Sequence, residues 1–474
     1  MRRTVAPVLA GLTLLGGCMV GPRYTPPSPP AGAAAPLVSL NPAAESSGQP
    51  PDAWWRLYSD PLLDRYLDEA FSANTDLKAA EANLSAARAI LEASRAGSYP
   101  STTVAAGATY GRDPTTDAIL EIDRAKPQTT WLFDTVFDVS YELDLFGRVR
   151  RSIEASKADA EAVAAGRDLL KITIAAETAR AYAQVCTLGE QLNVARHSLD
   201  LVTREAWITQ KRHQAGANSE FDVVRTQGLV DQVRSVIPPL EGQRRAALFE
   251  LSALLGRTPS HAPSEAEACV TPPRLATLIP VGDGAALLRR RPDIRQADRR
   301  LAAATARVGV AVADLYPRIQ LSGFYGGFAP DLADLTRNAG LGWGIGPQIS
   351  WSFPNQSGPR ARVRQAKAGA DAALAEFDGA VLQALKETEQ ALATYGAELD
   401  HRQALAAAQD KGRRALDIAH GQFAAGSIPT LDLLSAEQVL VADDAAVAAS
   451  DAALTQDQIA VFKALGGGWR SSAG

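Results

Sequence analysis

The chain repeats itself, so whatever fold it adopts has to be built twice. QAGANSEFDVVRTQ at 214–227 aligns with AAGSIPTLDLLSAE at 424–437, and Gly216 falls on Gly426 and Asp222 on Asp432 at an offset of 210. LLG at 254–256 falls on ALG at 464–466 with the same offset. Farther back, Tyr99-Pro100 is echoed by Tyr316-Pro317, each after a helical run and before a Gly-rich stretch. Self-similarity at one long offset is the mark of a tandem duplication. The halves are 54–270 and 271–474.

Within each half the hydrophobic period switches abruptly. Phe137, Val139, Tyr141, Leu143 and Leu145 alternate with Asp138, Ser140, Glu142 and Asp144, a period of two that predicts a strand with one apolar and one wet face. After Gly147 the apolar residues fall three or four apart (Val149, Ile153, Ala160, Val163), and no proline interrupts until Pro238. That pattern predicts a long helix. The second half repeats the switch, with Ile349, Trp351 and Phe353 running into GPRARVRQAKAGA.

Each half therefore reads helix, strand, loop, strand, long helix, tight turn, long helix. The strands are expected near 99–112, 131–147, 316–328 and 343–354, about the ~10 residues that a tilted membrane-crossing strand needs. The helices are expected near 60–97, 148–213, 219–256, 285–314, 359–424 and 429–465, the longest approaching ~100 Å at ~1.5 Å per residue. Pro238-Pro239 should kink or break the third. Gly216 and Gly426 suit helix C-caps, with Ser219 or Asn218, and Ser427 or Thr430, as candidate N-caps for the helices that follow.

The N terminus sets the compartment. Two arginines and a short apolar run read as a signal peptide over 1–17, too short for a permanent membrane anchor. Leu15-Gly16-Gly17-Cys18 resembles the lipobox of bacterial lipoproteins, which implies a lipidated Cys18 as the first mature residue. Residue 19 is Met and not the Asp that retains many such proteins at the inner membrane, which points to the outer membrane. Residues 18–53, rich in Pro, Ala and Ser, are expected to form an extended lipidated tether. Losing Arg2 and Arg3 takes the formal charge from −5 to −7, a poor basis for binding nucleic acid. In an oxidising compartment Cys186 and Cys269 are a candidate disulfide, two buried thiols being the alternative.

These residues offer little to an enzyme. The five histidines form no ligand-spaced pair, no GxxxxGK[ST] or GxSxG occurs, and the run Gly466-Gly467-Gly468 follows a helix and not a strand. No catalytic or metal-binding residue and no cofactor beyond the Cys18 lipid is expected. A physical constraint bears on the assembly instead. Strands in hydrocarbon must close into a barrel, and four are too few to enclose a lumen. Either the strands form a small sheet in water, as in a lipid-tethered coiled-coil scaffold, or several chains each contribute four.

VGPRYTPP after the lipobox, SYELDLFGRVRRSIEA, LLRRRPDIRQADRRLAAA, the duplicated AG…LD turn and the terminal FKALGGGW together resemble the TolC-type outer-membrane factors of tripartite efflux and type I export systems. The resemblance spans roughly 18–469. It implies a mainly α fold with a membrane β-barrel portion: a homotrimer sharing one twelve-stranded barrel that continues into a periplasmic α-helical tunnel. It also implies an outer-membrane location in a Gram-negative bacterium, contact with outer-membrane lipid, and two protein partners: a periplasmic adaptor and an inner-membrane transporter of the RND type. The tip turns, with Gly216, Asn218, Ser219, Asp222, Gly426 and Ser427, become the adaptor contact. The last helix becomes the gate, with Asp432 and Leu431 as its charge ring and hydrophobic plug and Ser435 where the family commonly has a second acid. A ring of three Asp432 carboxylates would favour cation capture. Read from the residues alone, Asp432 is equally a first-turn acid favoured by the helix dipole, as its duplicate Asp222 suggests. The cluster Arg289, Arg290, Arg291, Asp293 and Arg295 reads as salt bridging at a helix start, with a phosphate or headgroup site as the alternative.

Overall fold

The computed structural model describes residues 19–41, 45–46, 48–112, 129–275, 277–337 and 340–468. Cys18 and most of the loop expected at 113–130 lie outside them. The elements are α1 (Pro61–Ala73), α2 (Thr75–Ala96), β1 (Ser101–Gly111), β2 (Thr130–Leu143), α3 (Arg148–Gln214), α4 (Glu220–Leu254), α5 (Gly284–Arg290), α6 (Pro292–Ala313), β3 (Arg318–Ala329), β4 (Leu341–Ser350), α7 (Ser357–Ala424) and α8 (Thr430–Ala464). They form two compact units, one from the segments ending at Pro27 and spanning 84–163 and 297–377, the other from 28–83, 164–296 and 378–474. Each unit draws on both sequence halves.

The first unit holds a four-stranded antiparallel sheet in the order β1-β2-β3-β4. Its helical part packs through small residues, Ala158 against Ala302 and Ala303, with the Tyr24 ring beside them. Expected as a tether, the described start of the chain is docked. Val20 N donates to Phe146 O, the buried Arg151 reaches Gly21 O, and the Tyr24 hydroxyl donates to Asp298 while the Arg299 guanidinium lies 5.4 Å from its ring.

The second unit contains the largest core. Trp54 stacks on Phe462 at 4.8 Å, and Tyr66, Leu67, Tyr182 and Leu251 close around them. Cys186 on α3 is disulfide-bonded to Cys269, with Cα atoms 4.8 Å apart. Three arginines of the cluster are structural here, while Arg289 is exposed with no side-chain partner among the described residues. Arg291, 6 % exposed, donates to Asp293, to Glu387 Oε2 at 2.7 Å and to Ala464 O at 2.7 Å. Arg290 binds Asp52 and Pro50 O, and Arg295 binds Asp168. The buried Arg291 guanidinium holds the end of α8, and Arg290 holds the segment at Pro50 and Asp52.

Three expectations are corrected by local chemistry. The helix expected over 60–97 breaks at Asn74, which turns extended and caps α2 by accepting from Asp76 N and Leu77 N. The helix over 285–314 breaks at Arg291, since the residue before Pro292 is pushed out of helical geometry. The strand over 131–147 stops at Leu143, because Asp144 turns to accept from Val149 N and Arg150 N at the start of α3. By contrast α4 runs unbroken through Pro238-Pro239. Both prolines and residues 234–235, whose carbonyls lose their donors, are exposed, so water can replace the missing bonds.

Candidate functional site

The sheet sorts its side chains by polarity across all four strands. Residues paired across an antiparallel ladder point to the same face. The pairings Val104↔Phe137, Phe137↔Tyr325 and Tyr325↔Trp343 therefore line up one row, and Leu143↔Ile319 with Ile319↔Ile349 another on that face. That face is apolar and uncovered: Trp343 is 75 % exposed, Ile345 72 % and Tyr110 62 %. The opposite face carries Asp134, Asp138, Ser140, Glu142, Gln320, Ser322 and Gln348, interrupted by Leu132, Val136, Phe324 and Phe328. Both outer edges, on β1 and β4, are unpaired among the described residues. No described helix is long and apolar enough to cross a membrane. An apolar surface of this size is a membrane or partner interface.

The helix hairpins repeat hydrogen bond for hydrogen bond. In the first turn Gly216 N donates to His213 O and Ala217 N to Arg212 O; in the second Gly426 N donates to Phe423 O and Ser427 N to Gln422 O. This is a Schellman closure that puts Gly216 at φ +76° and Gly426 at φ +71°, where a side chain is disfavoured. The helices that follow start differently. Ser219 caps α4, accepting from Asp222 N while Asp222 Oδ2 accepts from Ser219 N, a full capping box. In the second turn neither Ser427 nor Thr430 is the cap. Pro429 occupies that position with no side-chain bond, and the Thr430 hydroxyl accepts instead from Asn218 Nδ2 at 3.3 Å. Asp432 thus lacks the serine partner that its duplicate has.

Leu431, Asp432 and Ser435 lie together on the exposed face of α8, while Leu433 and Leu434 are buried beneath them. Arg212 sits 4.1 Å from the Phe423 ring, tying the two turns together. Sequence reasoning missed an acid pair inside this bundle. Glu205 on α3 and Glu437 on α8 are 6 % and 7 % exposed, and among the described residues Glu205 Oε1, Glu437 Oε2 and Thr209 Oγ1 have no hydrogen-bond partner. Burial, and secondarily the neighbouring Glu205, pushes the Glu437 carboxyl up to about 7. Burial also raises Glu205, against the pull of His420 and Arg212. Spacing could have revealed Glu437, which stands four residues from Leu433 and three from Leu434 and Leu440, on the buried stripe of α8. Among the described residues no group of three or more His, Cys, Asp or Glu is placed to hold a metal.

An uncovered apolar sheet with open edges, together with paired long-helix hairpins, is the architecture of a membrane-channel protein that combines strands and helices. The chain belongs to the outer membrane efflux protein family, whose pattern matches residues 66–257 and 285–467. It is 30 % identical over 477 residues to the pyoverdine export outer membrane protein OpmQ of Pseudomonas aeruginosa, covering 98 % of each chain. It is 29 % identical over 459 residues to nodulation protein T of Rhizobium leguminosarum bv. viciae, covering 96 % of this chain and 92 % of that one. The solved structure of the outer-membrane channel OprN superimposes with a TM-score of 0.86 at 33 % identity, covering 95 % of this chain and all of that one. The protein is an outer-membrane channel component of a tripartite efflux system, working with a periplasmic adaptor and an inner-membrane pump, and it is not an enzyme.

Proposed function

We propose that three copies of the chain form the duct, each giving four strands to one closed twelve-stranded barrel and its hairpins to a shared helical tunnel. The observation that carries this is the sheet itself, with a continuous exposed apolar face and two unpaired edges. Unpaired backbone groups are not tolerated in hydrocarbon, and three sheets joined edge to edge leave none. The wet face, with Asp138 and Glu142, then lines the lumen. The barrel crosses the outer membrane, and the long helices carry the conduit across the periplasm.

In this reading the turns around Gly216, Asn218, Ser219, Asp222, Gly426 and Ser427 meet the adaptor of an RND-type pump. Leu431, Asp432 and Ser435 face the threefold axis as the gate. Three Asp432 side chains, free of a capping partner, form its charged ring. Cys18 carries the lipid that anchors the N terminus. Native mass spectrometry of the protein extracted from outer membranes in mild detergent tests the assembly. A mass about three times that of the lipidated chain is expected. A stable monomer would leave the edges open and favour the lipid-tethered scaffold.

A further inference from the structure

The starts of α3 and α7 are duplicates, and they differ in how their cations are neutralised. In the first repeat Arg148 Nε donates to Glu142 Oε1 at 2.8 Å, and Arg150 Nε to Asp144 Oδ2 at 3.1 Å. At the offset of 210, Glu142 and Asp144 become Ser352 and Pro354, while Arg150 becomes Arg360. The second repeat loses Arg148 and Arg151, which become Gly358 and Ala361, and gains Arg362 and Arg364 in place of Ser152 and Glu154. Arg360, Arg362, Arg364 and Lys367 fall within the first turns of α7, and the first acid on the helix is Asp371, a turn beyond Lys367. All four are exposed, and none has an ion-pair or side-chain hydrogen-bond partner among the described residues.

Arg360, Arg364 and Lys367, spaced by four and three, share one face of the helix. Cations clustered at a helix N terminus repel one another and oppose the helix dipole, so this arrangement is unfavourable until an anion arrives from outside the chain. What precedes the stripe indicates which anion. Ile349, Trp351 and Phe353 are 68 %, 50 % and 69 % exposed, and the rings of Trp351 and Phe353 stack at 4.8 Å. Along the chain the order is apolar sheet face, exposed aromatic pair, basic stripe. That is the order a bilayer presents from hydrocarbon through interface to headgroup.

We infer that Arg360, Arg364 and Lys367, assisted by Arg362, bind the phosphate groups of anionic phospholipid in the periplasmic leaflet of the outer membrane. The inference rests on the sheet crossing that membrane. A neighbouring copy is the other possible source of negative charge, but the opposite sheet edge does not supply it: residues 84–112 carry Arg88, Arg95 and Arg112 against Glu92 alone.

The test is native mass spectrometry of the full-length protein in detergent, titrated with phosphatidylglycerol or phosphatidylcholine. The wild type should retain phosphatidylglycerol in preference. The triple variant R360Q/R364Q/K367Q should weaken that binding by about fivefold per cation, on the order of a hundredfold in all. The charge-keeping variant R360K/R364K/K367R should retain it, as should K411Q/R414Q, which removes two cations far along the same helix. Equal retention of the two lipids by the wild type, or unchanged retention by the triple variant, overturns the inference. So does a triple variant that falls to monomers while R360K/R364K/K367R stays assembled, which would assign the neutralising charge to the neighbouring copy. A monomeric wild type would instead sink the trimer, with its lipid preference still readable.

Discussion

Replacing Glu437 with Gln should tighten the hairpin end of the helical bundle, increasingly as the pH rises above 4.5 and fully above 7. The carboxyl is buried against Glu205 with one oxygen unpaired, and its midpoint rises from 4.5 to about 7. A rise of that size corresponds to about 3 kcal/mol between the two protonation states. The sign follows from linkage. Below pH 4.5 the acid is protonated whether the helix is packed or open, and it costs nothing. Between 4.5 and 7 the open form ionises first, so packing is progressively penalised. Above 7 the full cost of about 3 kcal/mol applies. Glutamine has the same shape and no charge, so Glu437→Gln removes the cost. Amide hydrogen exchange over residues 431–441 reads it directly. At pH 8.5 the variant should exchange on the order of a hundredfold more slowly than wild type, while at pH 5 the gap should shrink to under about 1 kcal/mol. Equal exchange at pH 8.5 would show that the pair is not held as a desolvated acid, and the reasoning would fail.

Other perturbations test separate links. Arg291→Met leaves Glu387, Asp293 and the carbonyl of Ala464 without their shared donor, and should cost about 3–5 kcal/mol, seen as a lower thermal midpoint. Ser219→Ala removes the capping box and should destabilise the start of α4 by about 1 kcal/mol; Thr430→Ala, next to a turn without a side-chain cap, should change exchange at its own turn far less. Opening the Cys186–Cys269 bond, which closes a separation of 83 residues, should cost about 4–5 kcal/mol on the chain-entropy account, read as a fall in denaturant midpoint under reductant. Asp432→Ala should lower cation selectivity and raise the conductance of the reconstituted channel; unchanged single-channel recordings would argue for a first-turn acid and nothing more.

Much of this was legible because it depends on short-range rules. The period change after Gly147 reports a strand becoming a helix, since alternation and 3.6-residue spacing are local. The turns at Gly216 and Gly426 were readable because a left-handed C-cap demands glycine. Several missed features were local as well. Arg291 ends a helix because Pro292 follows it, and Asn74 and Asp144 turn to cap the helices that begin within a few residues of them. Pro429 displaced the caps expected at Ser427 and Thr430, although the duplicate turn has the serine cap.

By itself the sequence determined the duplication, the compartment, the two-faced strands and the paired hairpins, because periodicity and turn chemistry are properties of neighbours along the chain. Only the tertiary structure decided which charges are satisfied. Arg291 and Arg360 look alike in sequence, each in a basic run at a helix start. One is buried among carboxylates and carbonyls, and the other stands exposed with no counter-charge among the described residues. Likewise Asp432 is exposed while Glu437, five residues on, is desolvated against Glu205. Solvation is set by atoms brought together from distant segments, and for a charged group it decides between a structural brace, a titrating pair and a surface waiting for a partner.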